Sequence, residues 1–332
     1  MISGAGLSLA APGIAQSKTD TSFTFLHLTD MHVRRKRKGH EGYAKCIAAV
    51  NAMDSAPDLV LMGGDQAFDG MYTEKAEYLD QLDLFKSISD RLQMPYYHCL
   101  GNHDTFGLSS RRKTHIDDPD IGKELFKEKM GLDNTYYSFN HKGWHFVVMD
   151  SMEQVDTEHG HSQTHRFGEE HLEWLRKDLG SHYGMPTVIV THVAAFCHIG
   201  QYNASPNLLA MNHMVVSDTL AFRHIIERHN VKAVLQGHSH IPEDFMFNGI
   251  WYITSQSVSA AWWGGNWKGY EPGFTELKVS HDGELSWERK TFQWTHYLEP
   301  EDDLERERIA EREEFERLQK SLLAEEKSWS QR

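Results

Sequence analysis

Five short polar clusters, each directly after an apolar run, constrain this chain more than any other feature. The sharpest is Gly101-Asn102-His103-Asp104, which follows Tyr96-Tyr97-His98-Cys99-Leu100, a run that reads as a buried strand. The others are Asp30-Met31-His32, Gly64-Asp65, Thr191-His192 and Gly237-His238-Ser239-His240. Glycine lets the backbone turn sharply. An Asn amide oxygen, a His ring nitrogen and an Asp carboxylate can each serve a metal ion or a proton. One such cluster is an ordinary solvated turn. Five, each at the end of a β-like run, gather at one edge of a sheet.

The intervening segments alternate between strand and helix. Phe23–Thr29, Asp58–Met62 and Tyr96–Leu100 read as strands, separated by helices over Glu41–Met53 and Glu74–Leu92. That order predicts a parallel α/β layer with right-handed crossovers. Ligands of such sheets bind outside the carboxyl ends of the strands, where all three of the first clusters fall. Thr105–Asp120 reads as a polar loop. Tyr136–Phe139 and Trp144–Met149 read as a hairpin, and Glu153–Arg166 as a polar, His-rich loop carrying His159, His161 and His165. A helix is expected over Gly168–Leu179 and strands over Thr187–Val190 and Val231–Gln236, with a long loop, Val193–Val216, and a helix over Thr219–His229 between them. The remainder to about Tyr297 reads as short strands of a second sheet, with a Trp-rich loop, Ala260–Pro272.

Composition narrows the field. The 332 residues carry 39% hydrophobic and 25% charged side chains, enough for a sizeable core. A net charge of −14 argues against a nucleic-acid polymer or an anionic membrane as partner. Three cysteines, Cys46, Cys99 and Cys197, make no disulfide framework. Residues 1–17 are small and apolar and end near Gly13-Ile14-Ala15, so they read as a signal-peptide remnant and predict an exported enzyme. No later stretch is apolar enough to span a bilayer. Residues 18–298 read as one domain, and Glu299–Arg332 as a charged C-terminal helix, solvated or coiled.

Histidines number 22, so spacing must decide which matter. In an extended segment, residues two apart point the same way. Asp30 and His32 can then share one metal, and His238 and His240 can converge on one pocket. Asp65, just past a glycine pair, is placed to bridge. Mixed carboxylate, imidazole and amide donors suit Zn, Mn or Fe rather than an all-oxygen Ca or Mg cage.

The five clusters, in this order, resemble those of the calcineurin-like metallophosphoesterases, over about Phe23–Thr254. Within that superfamily the chain most resembles the bacterial branch of cyclic-nucleotide and glycerophosphodiester phosphodiesterases. The resemblance implies a four-layer α/β/β/α sandwich of two mixed sheets flanked by helices. It implies two divalent or trivalent ions, one on Asp30, His32 and His240, the other on Asn102, His192 and His238, with Asp65 bridging. It implies catalytic roles for Asp65, Asn102 and His103, with His103 facing the phosphate and leaving group. The family's tetrapeptide often ends in Glu, and Asp104 here is shorter, which puts the support of His103 in question. The chemistry expected is in-line attack on phosphorus by a metal-activated hydroxide.

Two features bear on the substrate. The basic run Arg34-Arg35-Lys36-Arg37-Lys38 follows the first ligand pair and could rim the pocket, or be a solvated loop. Trp262 and Trp263 could wall a base, sugar or lipid, or fold back onto the sheet. The favoured expectation is a hydrolase of phosphodiesters, acting on a small-molecule or lipid substrate. The alternatives are a phosphomonoesterase, such as a nucleotidase or general phosphatase, and a non-catalytic binding scaffold.

Overall fold

The computed structural model describes residues 21–158, 160–198 and 214–297. The leader expected over 1–17, the charged helix expected over 299–332, His159 and most of the Val193–Val216 loop lie outside these residues.

Two sheets face each other. Strands β1 (Phe23–Leu28), β2 (Leu59–Met62) and β3 (Tyr96–His98) run parallel, as predicted. Helices α1 (Gly39–Asn51) and α2 (Lys75–Ser89) connect them. A short helix, α3 (Glu124–Met130), was not anticipated; it stops at Gly131, whose φ of 69° closes the last turn. The second sheet contains β4 (Tyr137–His141), β5 (Trp144–Val148), β8 (Thr187–Val190), β9 (Val231–Gln236), β10 (Glu243–Phe247) and β11 (Ile250–Thr254), in the order β10-β11-β9-β8-β5-β4. Helices α4 (Gly168–Ser181) and α5 (Thr219–Ile226) belong to this half.

The period-2 alternation of each strand builds the layers. Phe25, Leu59, Leu61, Phe146, Val148, Val188, Val190 and Leu235 form one core, sealed between the sheets. The intervening residues, Leu26, Leu28, Val60, Met62, Val147 and Ile189, join a second core with the helices. The α1 stripe of Tyr43, Ile47 and Val50 and the α2 stripe of Leu82, Phe85 and Ile88 fill it from one side. Leu172 and Leu175 of α4 and Phe222 of α5 belong to it too. Helix, sheet, sheet, helix is the expected four-layer order.

Two expectations need correction. The last strands, β12 (Gly273–Val279) and β13 (Leu285–Thr291), do not extend the second sheet. They join the first, with β12 antiparallel to β1 and Phe25 opposite Leu277. Pairing there covers the otherwise open edge of β1. The polar stretch Glu153–Arg166 is not an irregular loop but a two-stranded hairpin, β6 (Met152–Thr157) with β7 (Gly160–His165). Among the described residues, no helix is long and apolar enough to cross a membrane.

Candidate metal centre

The carboxyl ends of parallel strands from both sheets meet at one edge. Asp30, Asp65 and Asn102 lie just beyond β1, β2 and β3; His192 lies beyond β8, and His238 and His240 beyond β9. Backbone bonds lock these ends together. Asp30 N–H donates to Gly64 C=O at 3.0 Å, and His32 N–H to Asp65 C=O at 2.8 Å. Across the sheets, His238 N–H reaches the Asp30 carboxylate at 3.1 Å.

The backbone route to this convergence differs from the extended one expected. Asp30, His32, Asp65, His238 and His240 all have positive φ, of 56°, 43°, 53°, 70° and 56°. Asp and His are among the residues that tolerate this left-handed region best. Each side chain is therefore turned inward by a local kink, not by strand alternation. Glycines make the room. A Cβ on Gly64 (φ 96°) would stand 2.5 Å from His192 Nδ1, and one on Gly101 would stand 2.1 Å from Asp65 N.

The donor set converges tightly. Asp30, His32 and His240 form one group and Asp65, His192 and His238 another; within each, the ligand atoms lie within 4.8 Å of one another. Asp65 Oδ2 stands 3.5 Å from His32 Nε2 and 3.1 Å from His192 Nε2, between the two groups. Asn102 Oδ1 stands 3.2 Å from His192 Nε2. Three of the histidines turn Nδ1 toward a backbone carbonyl, His32 to Phe68 at 3.3 Å, His192 to Gly63 at 2.9 Å and His240 to Ala260 at 2.6 Å. A carbonyl only accepts, so Nδ1 carries the proton and Nε2 the lone pair. His32 Nε2 and His240 Nε2 then face each other at 3.1 Å. Two lone pairs at that distance need a cation between them, and these residues fit a metal on that ground.

Electrostatics agree. Burial alone would raise Asp30, yet His240 and His192 hold its carboxyl well below the usual range. Burial also works against the Asp65 carboxylate, and His192, His103 and His32 hold it down. Burial pulls His192 down, but Asp65 and Asp30 outweigh it and lift the ring to about 9. His238, dominated by burial, falls to about 3 and stays a neutral donor. The two carboxylates thus hold positive charge at this point, whether as protons or as metal ions.

His103 sits at the mouth, with its side chain 22% exposed. Its ring meets that of His32 edge-on at 4.8 Å, and its backbone N–H donates to Asp65 Oδ1 at 2.8 Å. Behind it stands Asp69, which sequence reasoning missed. Asp69 Oδ1 lies 3.9 Å from His103 Nδ1 and accepts from Met71 N–H and Tyr72 N–H at 2.9 and 3.1 Å. An acid four residues after Asp65 was the available signal. Asp104 does not hold the His103 ring. It accepts from Gln66 N–H and Ala67 N–H through Oδ1 and from Gly101 N–H through Oδ2, all at 2.9 Å, so it clamps the Asp65 and Asn102 loops together. Burial and the nearby Asp65 push it up to about 7 despite those donors.

The expected substrate residues divide. Trp262 flanks the centre, its ring 4.5 Å from that of His240 and 5.8 Å from that of His32. Trp263 does not: it is fully buried against Gly39 and Gly42 of α1, and its indole N–H donates to Met31 and His32 carbonyls at 3.0 Å. Arg35 turns away to a bidentate pair with Asp80 at 2.7 and 2.8 Å. Arg34 lies over the Phe68 ring at 3.7 Å and donates to Trp262 C=O at 3.3 Å, so it reaches the site through Trp262. The β6–β7 hairpin brings to the site Gln163, which the loop reading overlooked, and His165, which it named without placing it there. Gln163 donates to Asn102 C=O at 3.1 Å, and the His165 ring meets that of His238 edge-on at 5.2 Å.

Known proteins resemble this chain. The chain is 22% identical over 260 residues to a probable cyclic nucleotide phosphodiesterase of Xenorhabdus bovienii, covering 72% of this chain and 87% of the relative. It is 24% identical over 241 residues to a probable glycerophosphodiester phosphodiesterase of Arcobacter nitrofigilis, covering 70% and 78%. Among solved structures, a phosphopantetheinyl hydrolase of Mycobacterium tuberculosis aligns with a TM-score of 0.44 at 16% identity, over 72% of this chain and 91% of that one. The calcineurin-like phosphoesterase profile matches residues 23–242, and with it the whole ligand-bearing edge. This chain belongs to the calcineurin-like phosphoesterase family, the metal-dependent hydrolases of phosphoric esters.

Proposed function

We propose that this chain is a phosphodiesterase working with two metal ions of the Fe, Mn or Zn class. Asp30, His32 and His240 would hold one ion; Asn102, His192 and His238 would hold the other; Asp65 would serve both. Such a pair supplies charge that orients a phosphate and acidifies water. The rest falls to the chain's own residues. Asp30 and Asp65 balance the positive charge, and the Nδ1 bonds to Phe68, Gly63 and Ala260 fix the rings that face it. His103, partly exposed beside His32, gives a proton to the departing alkoxide, with Asp69 behind it as a positioning acid.

The observation that carries the diester over the monoester is Trp262. Its indole lies against the His240 and His32 rings, where a second ester substituent would sit. A phosphate monoester has no such group to place there. The names of the two curated relatives support the same class. Metal-reconstituted protein is to be assayed on mono- and bis-nitrophenyl phosphate. The bis ester is expected to be the better substrate, and Trp262→Ala to raise its KM about tenfold, since an aromatic stacking contact is worth roughly 1–3 kcal/mol. A preference for the monoester that ignores Trp262 would favour a phosphatase instead.

A further inference from the structure

We propose that His145, Asp178 and His182 form a separate site for one zinc-class divalent cation, remote from the catalytic edge, that ties α4 to β5. His145 begins its course at the far end of β5, opposite Thr187, the first residue of β8. His192 lies beyond the other end of β8, five residues on and roughly 16 Å away at about 3.3 Å per residue. The two sites therefore share no ligand.

Three observations make this cluster a site. The ligand atoms of His145, Asp178 and His182 lie within 4.8 Å of one another. The two imidazoles are stacked at 3.8 Å with an 18° interplanar angle, so their edges run side by side. Both rings also turn Nδ1 to an oxygen acceptor, His145 to Asn140 Oδ1 at 2.7 Å and His182 to Asp178 C=O at 2.9 Å. On His145 that is the outer bonding by which metal-binding histidines are oriented, and it leaves Nε2 as the donor nitrogen. On His182 the nitrogen nearest the carboxylate is Nδ1, 3.6 Å from Asp178 Oδ1, and it would exchange its backbone partner for the ion.

His145 Nε2 faces Asp178 Oδ2 at 2.7 Å. With Nδ1 already donating, Nε2 meets a carboxylate oxygen only through a proton or a cation. The other carboxylate oxygen is braced by Ser138, whose hydroxyl donates to Asp178 Oδ1 at 2.8 Å. Zinc bonds of about 2.0–2.2 Å in tetrahedral geometry put ligand atoms about 3.3 Å apart, so the 2.7 Å His145–Asp178 pair must open by about 0.6 Å and His182 must move in by at most about 1.5 Å. His182 can supply that movement: its side chain is 26% exposed, against 0% for His145 and 11% for Asp178. Binding releases the proton shared by His145 and Asp178, and water completes the coordination.

The test is a difference between full-length chains, so it stands whatever the catalytic centre holds. Protein is equilibrated with excess zinc, freed of unbound metal, and assayed for zinc per chain. The wild type is expected to hold one more zinc than His182→Ala or Asp178→Asn, while bis-nitrophenyl phosphate turnover stays the same in all three. Zinc added to protein whose catalytic centre is already loaded should raise the wild-type melting temperature by on the order of 5 °C, and neither variant's. Asp178→Asn keeps the size and the Ser138 contact, so it guards against misfolding of the alanine variant. Equal zinc content in all three chains, with the same melting response, would overturn the site and leave a hydrogen-bonded cluster.

Discussion

His103 is the residue on which chemistry and metal retention separate. Its ring faces His32, yet no backbone carbonyl fixes its Nδ1, unlike the three rings aimed inward at the ligand cluster. His103→Ala is expected to keep its metal and to lose roughly 10²–10⁴-fold in turnover, the usual worth of a positioned general acid. The loss should shrink for nitrophenolate leaving groups, which need little protonation. Equal losses for alkyl and nitrophenyl esters would remove it from the proton-donor role. The ligand positions themselves were legible because such a cluster, ordinary when single, recurs five times, each behind an apolar run. Their left-handed backbone was not legible, because the same letters suit an extended strand end. Asp69 was missed for a related reason: it lies outside the Gly-Asp pair, and only the fold brings it behind His103.

At the level of elements, the two neighbouring tryptophans show how one loop serves two ends. Trp263 fills the groove over Gly39 and Gly42 and so anchors the loop; Trp262, next in chain, is thereby held over the metal-binding rings. Emptying a fully buried aromatic costs about 3–5 kcal/mol. Trp263→Ala should accordingly lower the urea midpoint sharply, whereas Trp262→Ala should leave it in place and change only diester KM. Equal midpoints for the two variants would contradict this division. Sequence could not separate the pair, since both letters carry the same hydropathy. The β6–β7 hairpin escaped for a different reason. Its strands run along the surface with polar side chains on both faces, so no alternation marks them. Alternation also selects a face and not a partner, which is why β12 and β13 were assigned to the wrong sheet.

For the whole molecule, acid is the condition that tests the fold. His98 is buried beside Phe85 and Phe126, and burial, helped by Lys86, lowers it to about 3. Its neutral ring faces Gln66 Oε1 at 2.7 Å. The unfolded chain takes up a proton near pH 6.5 that the folded chain refuses until about pH 3. The stability this residue lends is therefore complete above pH 6.5 and declines as pH falls, by up to about 1.4 kcal/mol per pH unit. Urea midpoints at pH 7 and pH 5 should differ by less in His98→Gln than in the wild type; an unchanged difference would rule this out. One feature of the architecture reaches further. Asp30, Asp65 and Asn102 come from the first sheet, and His192, His238 and His240 from the second. On the proposed ligand set, a cation gripped by both would be a rivet through the seam of the sandwich. Metal-stripped protein is then expected to melt lower and to be cut by protease first along this edge, and equal melting and cleavage with and without metal would contradict that.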